Sequence, residues 1–183
     1  MLKIGVLGAG HLGKIHLKLL QQSEKYELVG FYDENLENGA KIAAEFGYKQ
    51  FHTIATLIHA VDVIDIVTPT LSHYKCAKVA LKSGKHIFIE KPISNTVAEA
   101  EEIIAIAEEM KLLGQVGHVE RFNPAFQAVR EKINNPMFIE THRLAEFNPR
   151  GTDVPVVLDL MIHDIDVILS VVNSKVKAVH ASG

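Results

Sequence analysis

The sequence predicts an α/β fold on a doubly wound parallel sheet, followed by the start of an α+β unit. Three observations carry that expectation. Apolar runs of strand length alternate with helical patterns over residues 1–120. A glycine-rich turn joins the first apolar run to the first helical pattern, and the alternation stops after about residue 120. Strands joined by crossover helices run parallel, and a parallel sheet needs helices on both faces.

The first strand is expected over 3–7, and a helix over 12–21 follows it. A strand over 28–32 leads to a helix over 36–46, with Gly47 where a helix C-terminus takes a left-handed residue. A weaker strand at 49–51 precedes a short helix over 54–59. Next come the strand 63–67, the helix 71–83 followed by Gly84, and the strand 86–89. The helix over 97–110 has the clearest signature. Thr96 and Glu99 make a capping box, while Ile103, Ile104, Ala107 and Met110 recur on one face. A strand at 114–117 completes a first domain of residues 1–120.

Residues 121–183 follow another pattern. Asn123 and Pro124 predict the N-cap and first residue of a short helix reaching about 133. An extended segment over 137–147, a loop over 148–153, a helix over 155–171 and a strand over 175–181 are expected beyond it. Val157, Leu158, Met161, Ile165 and Leu169 form apolar stripes that one or two strands hardly cover. The second unit is therefore expected to be incomplete.

Composition excludes several roles. The 183 residues are 48% hydrophobic, enough for one good core and part of another. Nineteen basic against 22 acidic residues give a net charge of −3, with no basic stripe for nucleic acid and no polybasic patch for a membrane. Gly8 and Gly10 break the apolar start, and no run approaches spanning length, so neither a signal peptide nor a membrane segment is expected. The single cysteine, Cys76, cannot form an internal disulfide and falls in a helical pattern, as a small buried residue would. A cytoplasmic protein is the expectation.

Chemistry concentrates in four motifs. The first is Gly8-Ala9-Gly10-His11-Leu12-Gly13, placed between strand and helix. Gly8 permits the tight turn, Gly10 lets the backbone approach a pyrophosphate, and Gly13 lets the helix pack on its strand. Unpaired N–H groups of the helix start, including those near His11 and Leu12, favour an anion there. Asp33 ends the next strand, 20 residues after Gly13, where a carboxylate can bind a ribose and would repel a 2′-phosphate. No arginine follows it, so NAD is expected over NADP.

The strand 63–67 runs into Thr68, Pro69 and on to His73, and the strand 86–89 runs into Glu90, Lys91 and Pro92. Ligands bind such sheets at the C-terminal strand ends, so Thr68, Pro69, His73, Glu90 and Lys91 are expected to border the cofactor. His73 as a plain polar residue at a helix start remains open. The last motif is a run from Asp159 to Asp166, in which Asp159 and His163 are spaced i, i+4 on one helix face. The pair can touch one substrate or simply pair with each other. No further His or Cys recurs at ligand spacing, so no metal is expected.

GAGHLG at 8–13, TPTLSH at 68–73, EKP at 90–92 and DLMIHDID at 159–166 occur in this order along the chain. Together they resemble the oxidoreductases related to glucose-fructose oxidoreductase and inositol dehydrogenase, the Gfo/Idh/MocA family. The resemblance spans nearly the whole chain. It implies an NAD-dependent enzyme that passes hydride between nicotinamide and a secondary hydroxyl of a sugar, cyclitol or sugar nucleotide. It further implies that Lys91 matches the family's active-site lysine, and Asp159 and His163 its paired aspartate and histidine. Residues 117–124, GHVERFNP, look like the domain junction of members acting on UDP-N-acetylhexosamines. Members are usually considerably longer, with a second domain that closes the substrate pocket and often forms a dimer interface. A truncated chain, and a homo-oligomer for the full-length protein, are what that implies.

The residue types suit alcohol oxidation. A base near neutral pKa must take the hydroxyl proton, and histidine meets that need, so His163 is the expected base. Asp159 would orient it or bind a substrate hydroxyl, and Lys91 would stabilise charge on the reacting oxygen. Two alternatives stay open: an inositol, free-sugar, imine or enone enzyme on the same cofactor domain, and a dinucleotide-binding regulator without turnover.

Overall fold

The computed structural model describes residues 1–144 and 154–182. The chain divides into two compact units, Met1–Gly117 and His118–Gly183. The first holds β1 (Leu2–Leu7), α1 (His11–Gln21), β2 (Tyr26–Tyr32), α2 (Leu36–Phe46), α3 (Ile54–His59), β3 (Val63–Ile66), α4 (Thr70–Lys82), β4 (His86–Glu90), α5 (Val97–Glu109) and β5 (Gly114–Gly117). Neighbouring strands all pair in parallel, in the order β2-β1-β3-β4-β5. The order reverses between β1 and β3, so a crevice opens at their C-terminal ends.

Both faces of the sheet are covered because the strands are apolar on both sides. Val6 packs with Leu17, Phe31 and Ile42 beneath α1 and α2. Its neighbour Leu7 points the other way, into the core shared by Ile64, Ile66, Leu81, Ile89 and Ile103. Helix ends follow their local signals. Thr96 and Glu99 form the capping box, and Gly47 and Gly84 take positive φ. Cys76 is buried, which pushes its thiol pKa up.

The expected strand at 49–51 shrinks to a single parallel bridge between Phe31 and Gln50. Phe31 N–H donates to the Lys49 carbonyl and Phe51 N–H to that of Phe31, and the contact ends there. Gly30 permits even this much, since a Cβ on it would lie 2.3 Å from the Lys49 oxygen.

The second unit contains a 3₁₀ turn (Val119–Phe122), α6 (Pro124–Arg130), a π-helical turn (Val157–Met161) and α7 (Ile162–Val171). Asn123 caps α6 by accepting from Ala125 N–H, with Pro124 at the first position, although the helix ends before 133. The helix expected as one piece over 155–171 is split by its π-helical first turn. The strand expected over 175–181 does not form, nor does any strand in the part of 137–147 that is described. A strand needs a neighbouring edge to satisfy its N–H and C=O groups, and the described residues of this unit offer none. The loop expected over 148–153 lies outside the described residues.

Candidate functional site

The turn after β1 is shaped by contacts that only glycine tolerates. Gly8 has φ +94°, and a Cβ there would lie 2.6 Å from the Val67 carbonyl oxygen at the end of β3. A Cβ on Gly13 would lie 2.1 Å from the Gly8 oxygen, so α1 sits directly on the strand end. Gly10 is different: a Cβ there would meet nothing within 4 Å. The open space lies at the N-cap of α1, where no side chain caps the helix and no acid occupies the first turn. His11 and Leu12 keep their side chains exposed. Backbone donors and the positive helix end therefore face an accessible cradle that fits a pyrophosphate.

Asp33, just after β2, joins this cradle. One carboxylate oxygen accepts from Ala9 N–H at 2.8 Å and the other from Asn35 N–H at 2.9 Å. Each oxygen keeps a further lone pair for a hydroxyl donor. The side chain is half-buried, tied to the glycine turn on one side and to the start of α2 on the other.

On the other wall, Thr68 and Pro69 make the turn into α4, and His73 lies beneath it at 1% exposure. Its Nδ1 lies 2.8 Å from the Pro92 carbonyl oxygen and its Nε2 2.9 Å from that of Thr68. His73 thus links the ends of β3 and β4. Glu90 is buried and Lys91 half-buried, with a cis peptide bond between Lys91 and Pro92. Lys91 N–H donates to a Glu90 carboxylate oxygen at 3.2 Å.

Sequence reasoning missed the group that holds Glu90. His16 of α1 lies between two carboxylates, Nδ1 at 2.9 Å from Asp65 and Nε2 at 3.3 Å from Glu90, with Phe88 edge-on to its ring. Burial opposes a charged imidazole. The hydrogen bonds and charges of Asp65 and Glu90 outweigh it and raise His16 to about 10. Burial also raises the Asp65 carboxyl, whereas His16 and the Lys91 N–H bring Glu90 below its ordinary value against the cost of burial. The signal was present at Asp65. An acid in the middle of Val63-Ile64-Asp65-Ile66-Val67 is a buried charge that requires a partner.

In the second unit, Asp159 falls in the π-helical turn and His163 in the first turn of α7, both half-buried. Such π-helical turns occur often at functional positions. Asp166, one turn beyond His163, is buried and receives a two-pronged Arg121 guanidinium at 2.7 and 2.5 Å, with His118 Nδ1 3.8 Å away. Arg143 pairs likewise with Asp164 at 2.7 and 2.9 Å. Burial opposes ionisation of Asp166, but Arg121 holds it below the usual range. The Arg143 hydrogen bonds lower Asp164 in the same way.

A glycine cradle at an open helix start, set at the switch point of a parallel sheet and flanked by a strand-end acid, defines a dinucleotide-binding α/β domain. The chain belongs to the Gfo/Idh/MocA oxidoreductase family, whose NAD-binding Rossmann-fold model matches residues 2–118. It is 39% identical over 187 residues to UDP-N-acetylglucosamine 3-dehydrogenase of Acidithiobacillus ferrooxidans, a match covering 100% of this chain and 58% of that one. A solved structure of UDP-N-acetylglucosamine 3-dehydrogenase from that organism superposes with TM-score 0.87 at 40% identity, over 93% of this chain and 56% of that one. Myo-inositol 2-dehydrogenase of Thermotoga maritima is 26% identical over 195 residues, covering 100% and 58%. The chain spans little more than half the length of these curated relatives. Among the described residues no helix is long and apolar enough to cross a membrane.

Proposed function

We propose that this protein binds NAD at the C-terminal ends of β1 and β3 and oxidises a secondary hydroxyl of a sugar nucleotide, with Lys91, Asp159 and His163 acting on the substrate. The observation that carries the reading is the uncapped start of α1 over Gly10, beside the Asp33 carboxylate. Backbone N–H groups from Gly10 to Gly13 would hold the pyrophosphate, with the side chains of His11 and Leu12 left outside it. Asp33 would bind the adenosine ribose, and its charge disfavours a 2′-phosphate. Thr68, Pro69, His73, Glu90 and Lys91 form or support the wall on the other side. Bound NAD supplies the hydride acceptor.

The remaining chemistry falls to the side chains. His163 takes the hydroxyl proton as the substrate carbon gives up its hydride and the C–O bond becomes a carbonyl. The Lys91 ammonium donates to the reacting oxygen and stabilises the negative charge that develops on it. Asp159 orients the imidazole or receives a neighbouring hydroxyl. The sugar-nucleotide class is supported by the likeness of the whole chain to UDP-N-acetylglucosamine 3-dehydrogenase.

The test uses the whole protein. Calorimetry should show NAD binding about tenfold or more tightly than NADP, a difference of about 1.4 kcal/mol. Turnover of UDP-sugars, free sugars and cyclitols, followed at the nicotinamide absorbance, should favour UDP-N-acetylhexosamines. Equal affinity for both cofactors removes the role given to Asp33, and preferred turnover of a cyclitol overturns the substrate class. NAD binding with no turnover of any substrate leaves a dinucleotide-responsive regulator instead.

A further inference from the structure

Lys91 lies between two residues that are each held by a histidine, half-buried His16 and buried His73, and the two histidines come from helices on opposite faces of the sheet. Before it, Glu90 offers one carboxylate oxygen to His16 Nε2 on α1, and the other oxygen receives the Lys91 N–H. After it, the Pro92 carbonyl receives His73 Nδ1 on α4. Gly117 makes room for this arrangement, since a Cβ there would lie 2.8 Å from the Glu90 oxygen that His16 holds. Resting on the assignment of Lys91 to the substrate, we infer that His16 and His73 are positioning residues: together they fix the chain on both sides of Lys91 and so set where its ammonium stands.

Stability alone gives a poor account of either histidine. A buried charge cluster such as His16, Asp65 and Glu90 contributes little that well-packed apolar residues of like volume would not. On the α1 face of the sheet, position 65 is one the strand pattern would fill with an apolar side chain. His73 is costly in another way. It fills a position beside the sheet with a polar ring whose two nitrogens both face backbone carbonyls, those of Thr68 and Pro92, where an apolar side chain of like volume would pack without that demand. What the two sites share is the polypeptide they grip.

The two histidines use opposite nitrogens, which gives a discriminating test. Asparagine keeps a donor near the Nδ1 position and glutamine keeps one near Nε2. At position 16 the link to Glu90 runs through Nε2, so His16→Gln should be mild and His16→Asn severe. At position 73 the link to Pro92 runs through Nδ1, so His73→Asn should be mild and His73→Gln severe. A packing role ranks the two replacements alike at both sites.

Two readouts apply to the full-length protein. In lysine-labelled NMR, the Lys91 Cε resonance, assigned with Lys91→Met, should move in His16→Asn and His73→Gln and stay near the parent in the other two. With NAD and UDP-N-acetylglucosamine, the severe variants should lose about tenfold to 100-fold in kcat, as for a misplaced reacting group. In a Lys91→Met background they should cause no further loss. An unmoved Lys91 resonance in both severe variants, or the same ranking of Asn and Gln at both positions, overturns the inference. If Lys91→Met turns over at the parent rate, the catalytic assignment falls by itself, and the resonance still decides whether the histidines position Lys91.

Discussion

The two units treat their apolar residues in opposite ways. In Met1–Gly117 a parallel sheet covered on both faces buries Val6, Leu17, Phe31, Ile64, Ile66 and Leu81 almost completely. In the second unit Val157, Met161, Ile165 and Leu169 are all exposed, and Asp166 is the one buried residue among those described. The proposed site residues follow the same division. Lys91 is set in a frame of buried carboxylates, histidines and backbone, whereas Asp159 and His163 ride on a helix whose fixed points are two Arg–Asp pairs. A site residue is held as firmly as the core behind it, and here one unit relies on packing while the other relies on charge.

The largest effect should come from disturbing the packed frame at its tightest point. Gly13→Val places side-chain carbon against the Gly8 carbonyl, a backbone atom that cannot swing away, so α1 must retreat from the strand end. Overpacking of this kind costs about 3 kcal/mol. If it falls on the pyrophosphate cradle, NAD affinity drops roughly 100-fold. Calorimetry checks this, and undiminished affinity would mean that the cradle is elsewhere.

Alkali should single out the first unit. His16 is raised from 6.5 to about 10 in the folded chain, so its contribution is complete below pH 6.5 and is lost as pH climbs toward 10. Linkage of about 1.4 kcal/mol per unit makes that a few kcal/mol at most. Asp164 and Asp166 are lowered from 3.8, so their contribution is present above that pH and is lost as pH falls through their folded values. Urea unfolding should therefore weaken the first unit on the alkaline side, while acid weakens the second unit and also removes the Glu90 contribution to the first, whose carboxyl is likewise held low. His16→Gln should flatten the alkaline limb, and an unchanged slope would show that the imidazole is neutral.

A smaller effect is expected from Arg121→Ala. It leaves the buried Asp166 carboxylate without its guanidinium, but Arg121 is itself substantially exposed, so solvent screening limits the loss to about 1–2 kcal/mol. Hydrogen exchange should accelerate in α7 and not in β1 or β3. Equal acceleration in the sheet would contradict the division into two units.

The same contrast explains what could be read in advance. Helices and strands of the first unit were legible because each apolar run had a partner within reach, and α2 and α3 match their expected limits residue for residue. The strand expected at 175–181 was a pattern with no edge to pair with among the described residues, and the one expected at 49–51 keeps a single bridge to Phe31 on the edge strand β2. Local sequence carries propensity, whereas pairing depends on a distant segment. At the site, the positive φ at Gly8 and the close approach at Gly13 were legible because both are local to one turn. The contact of His16 with Asp65 and Glu90 was not, since it joins residues 49 and 74 positions apart through the fold. Asp65 announced only that some partner must exist.

The smallest expected change is none at all, and it reports on the packed unit. Cys76 is the chain's single thiol, buried in α4 against the larger core, and burial raises its pKa. Thiolate is the reactive form, so a thiol reagent at neutral pH should leave it untouched in the native protein. Reaction requires α4 to leave the sheet, so the rate in rising urea should follow unfolding of the first unit and ignore that of the second. Arg121→Ala should leave this rate at the parent value while Gly13→Val raises it. A rate that rises in Arg121→Ala would mean that the ion pairs of the second unit help hold the sheet together, and the contrast between a packed unit and a charge-held one would lose its basis.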